Sequence, residues 1–170
     1  MLSFVRAISA GLAAALLVVV VMYLGLSNII PRDNPPPTDQ SLEANFRAHK
    51  QNLESLVEMS KLDRNQIIRT PAGQPSFSRE QTRQFNYYVR EAGVQGDIRH
   101  ESRPDGTSTT YLPCWNRVLI TNSTSKGYAY SETELTPVVT SLDDVNSWPK
   151  GSKMVYKKLD GNWYLFHMST

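Results

Sequence analysis

The side chains best suited to chemistry are few: one cysteine and three histidines in 170 residues. Cys114 stands in Pro-Cys-Trp, and a thiol nucleophile needs a base within hydrogen-bond reach. His100, about one hairpin away, and His167, near the C-terminus, are the bases that strand pairing can bring to it. No helix start follows Cys114 to lower its pKa, and no Gly-rich turn beside it offers an oxyanion hole. A free cysteine between Leu112 and Trp115 fits a small buried residue better than a nucleophile. The expectation is a chain without catalytic residues; a small hydrolase or thiol enzyme using Cys114 with a histidine is the alternative.

Metal and cofactor chemistry finds less support. His49, His100 and His167 share no short spacing, HExxH and CxxC are absent, and the acidic residues are scattered, so neither a metal nor a cofactor is expected. Asp143 and Asp144 are adjacent and point apart; with Asn146 they read as a loop or a helix cap. No glycine loop cradles a phosphate, and one cysteine cannot form a disulfide within the chain. Asn122-Ser123-Thr124 fits a glycosylation acceptor, which matters only in a eukaryotic secretory route. A net charge of +2 excludes recognition of nucleic acid by bulk charge.

Any such groups must be positioned by two very different parts of the chain. No charged residue stands between Arg6 and Arg32, and residues 7–30 are almost wholly apolar. A helix of that length reaches roughly 36 Å, enough to cross roughly 30 Å of hydrocarbon with some tilt. The run lacks the polar stripe of a buried soluble helix, so it is expected to be an uncleaved transmembrane anchor. Cleavage after Ser27, releasing a soluble secreted module, is the competing reading. A lipid anchor would need a cysteine just after the run, and the single cysteine is at 114. The five-residue head before Arg6 favours residues 1–6 in the cytoplasm and the rest outside, a single-pass inner-membrane arrangement in a bacterial cell. Gly11 and Ala15, near Ser9 and Ala13, leave open a homodimer through this helix.

Residues 31–40 include Pro35-Pro36-Pro37 and are expected to form a polyproline stalk of roughly 30 Å. Residues 41–170 are expected to form one extracytoplasmic α+β domain. Leu42, Phe46, Leu53, Leu56, Val57 and Leu62 fall on helical spacing, with Asp39 or Ser41 as cap. Residues 66–70 resemble a brief strand and 72–76 a loop. Ser78 and Gln81 form a capping-box pattern before a second helix over 79–92, ended by Gly93. Strands follow over 97–102, 109–121 and 127–131, with turns at 104–106 and 122–126. Asp160-Gly161 predicts a type I′ hairpin pairing Lys158 with Trp163, Tyr156 with Leu165 and Val155 with Phe166. The architecture predicted is two helices packed on an antiparallel sheet of about four to five strands.

The sheet region is rich in Tyr and Trp, which in a domain with few aliphatic residues serve first as core and second as a binding surface. Three segments carry a resemblance: Phe46, His49, Lys50, Leu53, Leu56, Val57, Met59 and Asp63 with Ile68-Arg69; Lys126-Gly127-Tyr128-Ala129-Tyr130; and Asp160 to Leu165. Together they resemble small bacterial envelope proteins without an assigned activity, which carry a membrane signal or lipid anchor and one extracytoplasmic domain. The resemblance implies an envelope location and contributes no catalytic residue. The expected role is a non-enzymatic interaction domain held near the membrane, with a protein or cell-envelope partner.

Overall fold

A computed structural model describes residues 34–62, 67–68, 77–118 and 122–170. The anchor expected at 7–30, part of the brief strand and the loop at 72–76 lie outside the described residues. No helix among the described residues is long and apolar enough to cross a membrane. The fold is α+β: two helices on an antiparallel sheet of six strands.

Helix α1 runs Asp39–Lys61. Its cap is Thr38, whose hydroxyl accepts from the Ser41 N–H at 3.2 Å, rather than Asp39 or Ser41. The helix therefore begins inside the stretch assigned to the stalk. Leu42, Phe46, Leu53, Leu56 and Val57 form the buried stripe, but Leu62 is the C-cap and 65% exposed, so the stripe stops one turn short of the expectation. Helix α2, Arg79–Glu91, has both bonds of the capping box between Ser78 and Gln81. Phe77, just outside it, packs on Phe85 with ring centroids 5.6 Å apart.

The strands are β1 (Ile67–Ile68), β2 (Ile98–Ser102), β3 (Ser108–Val118), β4 (Ser123–Ser131), β5 (Met154–Lys158) and β6 (Trp163–Ser169), in the order β1-β2-β3-β4-β6-β5. The sheet exceeds the expected four to five strands by including the two-residue β1. Helix residues Leu53, Leu56 and Phe85 pack with Leu112, Tyr128, Trp163 and Leu165 in the main core. A second, smaller cluster of Tyr111, Leu135, Tyr156, Tyr164 and Phe166 forms separately from it.

Two local readings are corrected. Residues 122–126, expected as a turn, are strand from Ser123 onward, because Ser123–Lys126 pair with Trp115–Val118 in one long hairpin. The terminal hairpin is shifted by one residue: Lys158 pairs with Tyr164, Tyr156 with Phe166 and Val155 with His167. Gly161 alone has positive φ there, at 53°, and the Trp163 N–H bonds the Asp160 carbonyl, so the turn centres on Gly161-Asn162 and is not the expected type I′. A one-residue slip exchanges the faces of one strand relative to the other. It groups Tyr156 with Phe166, and Val155 with His167.

A bulge between Pro113 and Trp115 places Cys114 as the additional residue of β3. Gly127 seats that bulge: a Cβ there would collide with the Leu112 carbonyl oxygen and lie 2.8 Å from the Cys114 nitrogen. Between β4 and β5, residues 132–153 wrap the outer edge of the sheet. Leu135 joins the smaller cluster, Leu142 joins the main core, and Val138 makes a parallel bridge to Tyr156 of β5. Asp144 caps the short 3-10 turn Val145–Ser147 in this strap, as its sequence suggested.

Candidate functional site

Cys114 is buried, and its sulfur lies 3.9 Å from the Leu112 carbonyl oxygen. Burial pushes its pKa up to about 12, the direction opposite to an activated thiolate. Neither histidine bonds it. Nδ1 of His100 meets the Thr110 hydroxyl at 2.9 Å and Nε2 meets Ser102 at 3.4 Å, while Thr110 also contacts Ser60 at 3.3 Å. Burial, with a smaller contribution from the Lys61 charge, holds the His100 pKa below its usual value, so the ring is a neutral member of a hydroxyl chain. His167 lies across from Lys126 on β4 and Val155 on β5. The structure thus does not unite the residues of the thiol alternative.

What it does unite was not visible as a motif. Lys126, in a strand and 1% exposed, directs its Nζ to Asp143 Oδ1 at 2.6 Å and to Asp39 Oδ1 at 2.9 Å. Asp39, the first residue of α1, receives on its other oxygen the Leu142 N–H at 2.8 Å, the Ser141 hydroxyl at 3.2 Å and Lys157 at 3.3 Å. Its own N–H donates to Asp143 Oδ2 at 2.9 Å. Lys157 completes the group with Glu43 at 2.7 Å. Burial pushes the Asp39 carboxyl up, but Lys126, the Leu142 amide and Lys157 outweigh it and hold the pKa below the usual carboxylate value. The helix N-terminus adds a favourable field for the same anion. The signal that could have exposed Lys126 is parity, since it alternates with Tyr128 and Tyr130 along β4.

On the face bearing the smaller cluster is an open trough of about 250 Å³ beside the β3–β4 hairpin. Tyr111, Pro113 and Phe166 are its buried apolar surface, and half-buried Met154 and Met168 flank them. Asn116, Ser123 and Thr124 supply polar groups from the hairpin, and Val118 at its end is 80% exposed. Most sheet aromatics are core: Tyr128, Tyr156, Trp163 and Tyr164 are all at most 5% exposed. Among the described residues no three His, Cys, Asp or Glu side chains gather as a metal-holding group. No family model, curated protein or solved structure matches the chain.

Proposed function

We propose that the protein is a single-pass, membrane-anchored interaction domain of the bacterial envelope and is not an enzyme, with residues 7–30 as the anchor, the N-terminus cytoplasmic and the α+β domain outside the cytoplasm. The observation that carries the interaction reading is the trough. Flexible thioethers of Met154 and Met168 beside the Phe166 and Tyr111 rings fit apolar side chains of varied shape. The rim adds Asp97, Arg99, Asn116 and Ser123, of which Asn116 is already bonded to the Gln95 carbonyl and Ser123 to Thr170, so the apolar floor carries the reading. The partner class is accordingly an apolar peptide segment of another envelope protein, held at the height set by the proline stalk. The buried thiol gives the hydrolase reading no observation in its favour.

The test is photocrosslinking of the full chain in the membrane of the cell that makes it. A crosslinker replacing exposed Val118 at the trough is expected to give a discrete protein adduct that Met154→Arg removes; one replacing exposed Arg83 on α2 is expected to give none. Equal labelling from both positions, or none from Val118, overturns the interaction surface. Intact mass of the membrane-extracted protein tests the anchor separately, since loss of residues 1–27 would refute it.

A further inference from the structure

The strap over residues 132–153 is held by unlike fastenings at its two ends. On one side it acts as an additional strand: Tyr156 of β5 donates its N–H to the Pro137 carbonyl at 3.0 Å and accepts the Val139 N–H at 2.7 Å. The strap thereby satisfies the backbone at an edge that would otherwise offer itself for pairing. On the other side it is latched through ions, by Asp143 to Lys126 and by the Leu142 amide to Asp39. Trp148 then closes over His167, with ring centroids 4.6 Å apart, and its indole N–H donates to the Ser141 carbonyl at 3.2 Å.

His167 is the weak point of that closure. Its Nδ1 is buried without a hydrogen-bond partner. Lys126 faces it from β4 and Asp39 acts on it from α1, while Lys157 shares its face from β5; Asp143 of the strap is bonded to Lys126 and Glu43 of α1 to Lys157. Each of those carboxylates is already committed to a lysine. A proton added to the ring must therefore either draw a carboxylate out of the latch or drive the imidazolium, with Trp148 above it, toward water. Both routes loosen the same fastening.

We propose that residues 132–153 are a releasable strap over the β5 edge, latched by Asp143 and Leu142 to Lys126 and Asp39, and opened by protonation of His167 beneath Trp148. Burial first, and the Lys126 charge second, lower the pKa of His167 from its usual 6.5, against a smaller opposing effect of Asp39. A lowered histidine pKa means that the closed form gains its full benefit above about pH 6.5 and loses it as pH falls through the lower folded value. Opening frees the Tyr156 N–H and carbonyl for pairing with another strand.

Amide exchange resolved by NMR on the full chain, corrected for intrinsic rates, tests this at pH 7.5 and 5.5. The Val139 and Tyr156 amides are expected to lose protection in acid by a factor that approaches but does not exceed about tenfold, the limit for one histidine with an open-form pKa near 6.5, while Leu112 and Tyr128 keep theirs. His167→Gln is expected to stay protected at both values, and Asp143→Asn to exchange rapidly even at pH 7.5. Unchanged protection of Val139 and Tyr156 in acid, or the same loss in His167→Gln, overturns the proposal. Should His167→Gln fail to fold, the wild-type imidazole titration decides: a midpoint below 6.5 with the Trp148 indole shifting in step supports the strap, and a midpoint at or above 6.5 refutes it.

Discussion

Lys126 and Lys50 each hold an aspartate at 2.6 Å, yet one lies under the start of α1 and the other on its open flank. Lys126 is 1% exposed and bridges two carboxylates from different elements, whereas Lys50 meets Asp160 of the terminal turn with both side chains in water. Equal distances conceal unequal weight. In water the attraction is screened and the loss of side-chain freedom offsets most of it. In the interior, Lys126 and Asp39 have both already lost hydration, so each becomes necessary to the other, while the partly exposed Asp143 adds to the pair from the rim. The comparison teaches that the start of α1 is fixed by a polar cluster which the fold cannot lose piecemeal, while the rim pair is decoration on a helix already held by Phe46 and Leu53.

The sharpest way to break this contrast is Lys126→Met, which leaves the Asp39 carboxylate buried with Lys157 as its remaining cation, while Asp143, 45% exposed, stays in reach of water. We expect it to lower unfolding stability by about 3–5 kcal/mol in urea titrations. A loss below about 1 kcal/mol would mean that water reaches the cluster and the contrast is false. Asp39→Asn is expected to cost about 2–3 kcal/mol, since Lys157 retains Glu43 and Lys126 retains Asp143.

The same variant changes the acid limb. Because the folded pKa of Asp39 is depressed, its contribution is present above about pH 3.8 and is lost as pH falls through the folded value. Wild-type stability should therefore fall more steeply than that of Asp39→Asn below pH 4; parallel curves would remove Asp39 from the account. The smallest effect belongs to Lys50→Ala and Asp160→Asn. Both should leave the thermal midpoint within experimental scatter at physiological salt, and a clear drop in either would show that the rim pair carries structure.

Much of the architecture was legible from local physics. The Ser78–Gln81 capping box is written in four consecutive positions, and the stripe from Leu42 to Val57 follows from helical periodicity. The terminal hairpin was legible as a hairpin but not in register, because Asp160-Gly161 fits more than one turn and only the observed hydrogen bonds chose Gly161-Asn162. Leu62 carried the right residue type one turn too late: the helix ends where its last carbonyls find a cap. The β4 start at Ser123 was hidden because Ser, Thr and Lys read as turn chemistry until pairing with β3 satisfies their backbone.

The candidate sites were less legible still. Cys114 could be named from the sequence, and its burial beside the bulge matched the plain reading of a small core residue. The Asp39–Lys126–Asp143 cluster joins residues more than 80 positions apart in part, and no spacing rule links them. The trough is likewise assembled from β2, β3, β4, β5 and β6.

By itself the sequence determined the segment types: an uncharged apolar run, a proline-rich stretch, two amphipathic helices and a strand-rich remainder. These follow from interactions within a few residues, where periodicity and caps act. Tertiary structure decided which charges are buried, which face His167 shares with Lys126, and where the strap crosses the β5 edge. Those outcomes depend on strand register and on desolvation, and both are properties of segments brought together rather than of any segment alone.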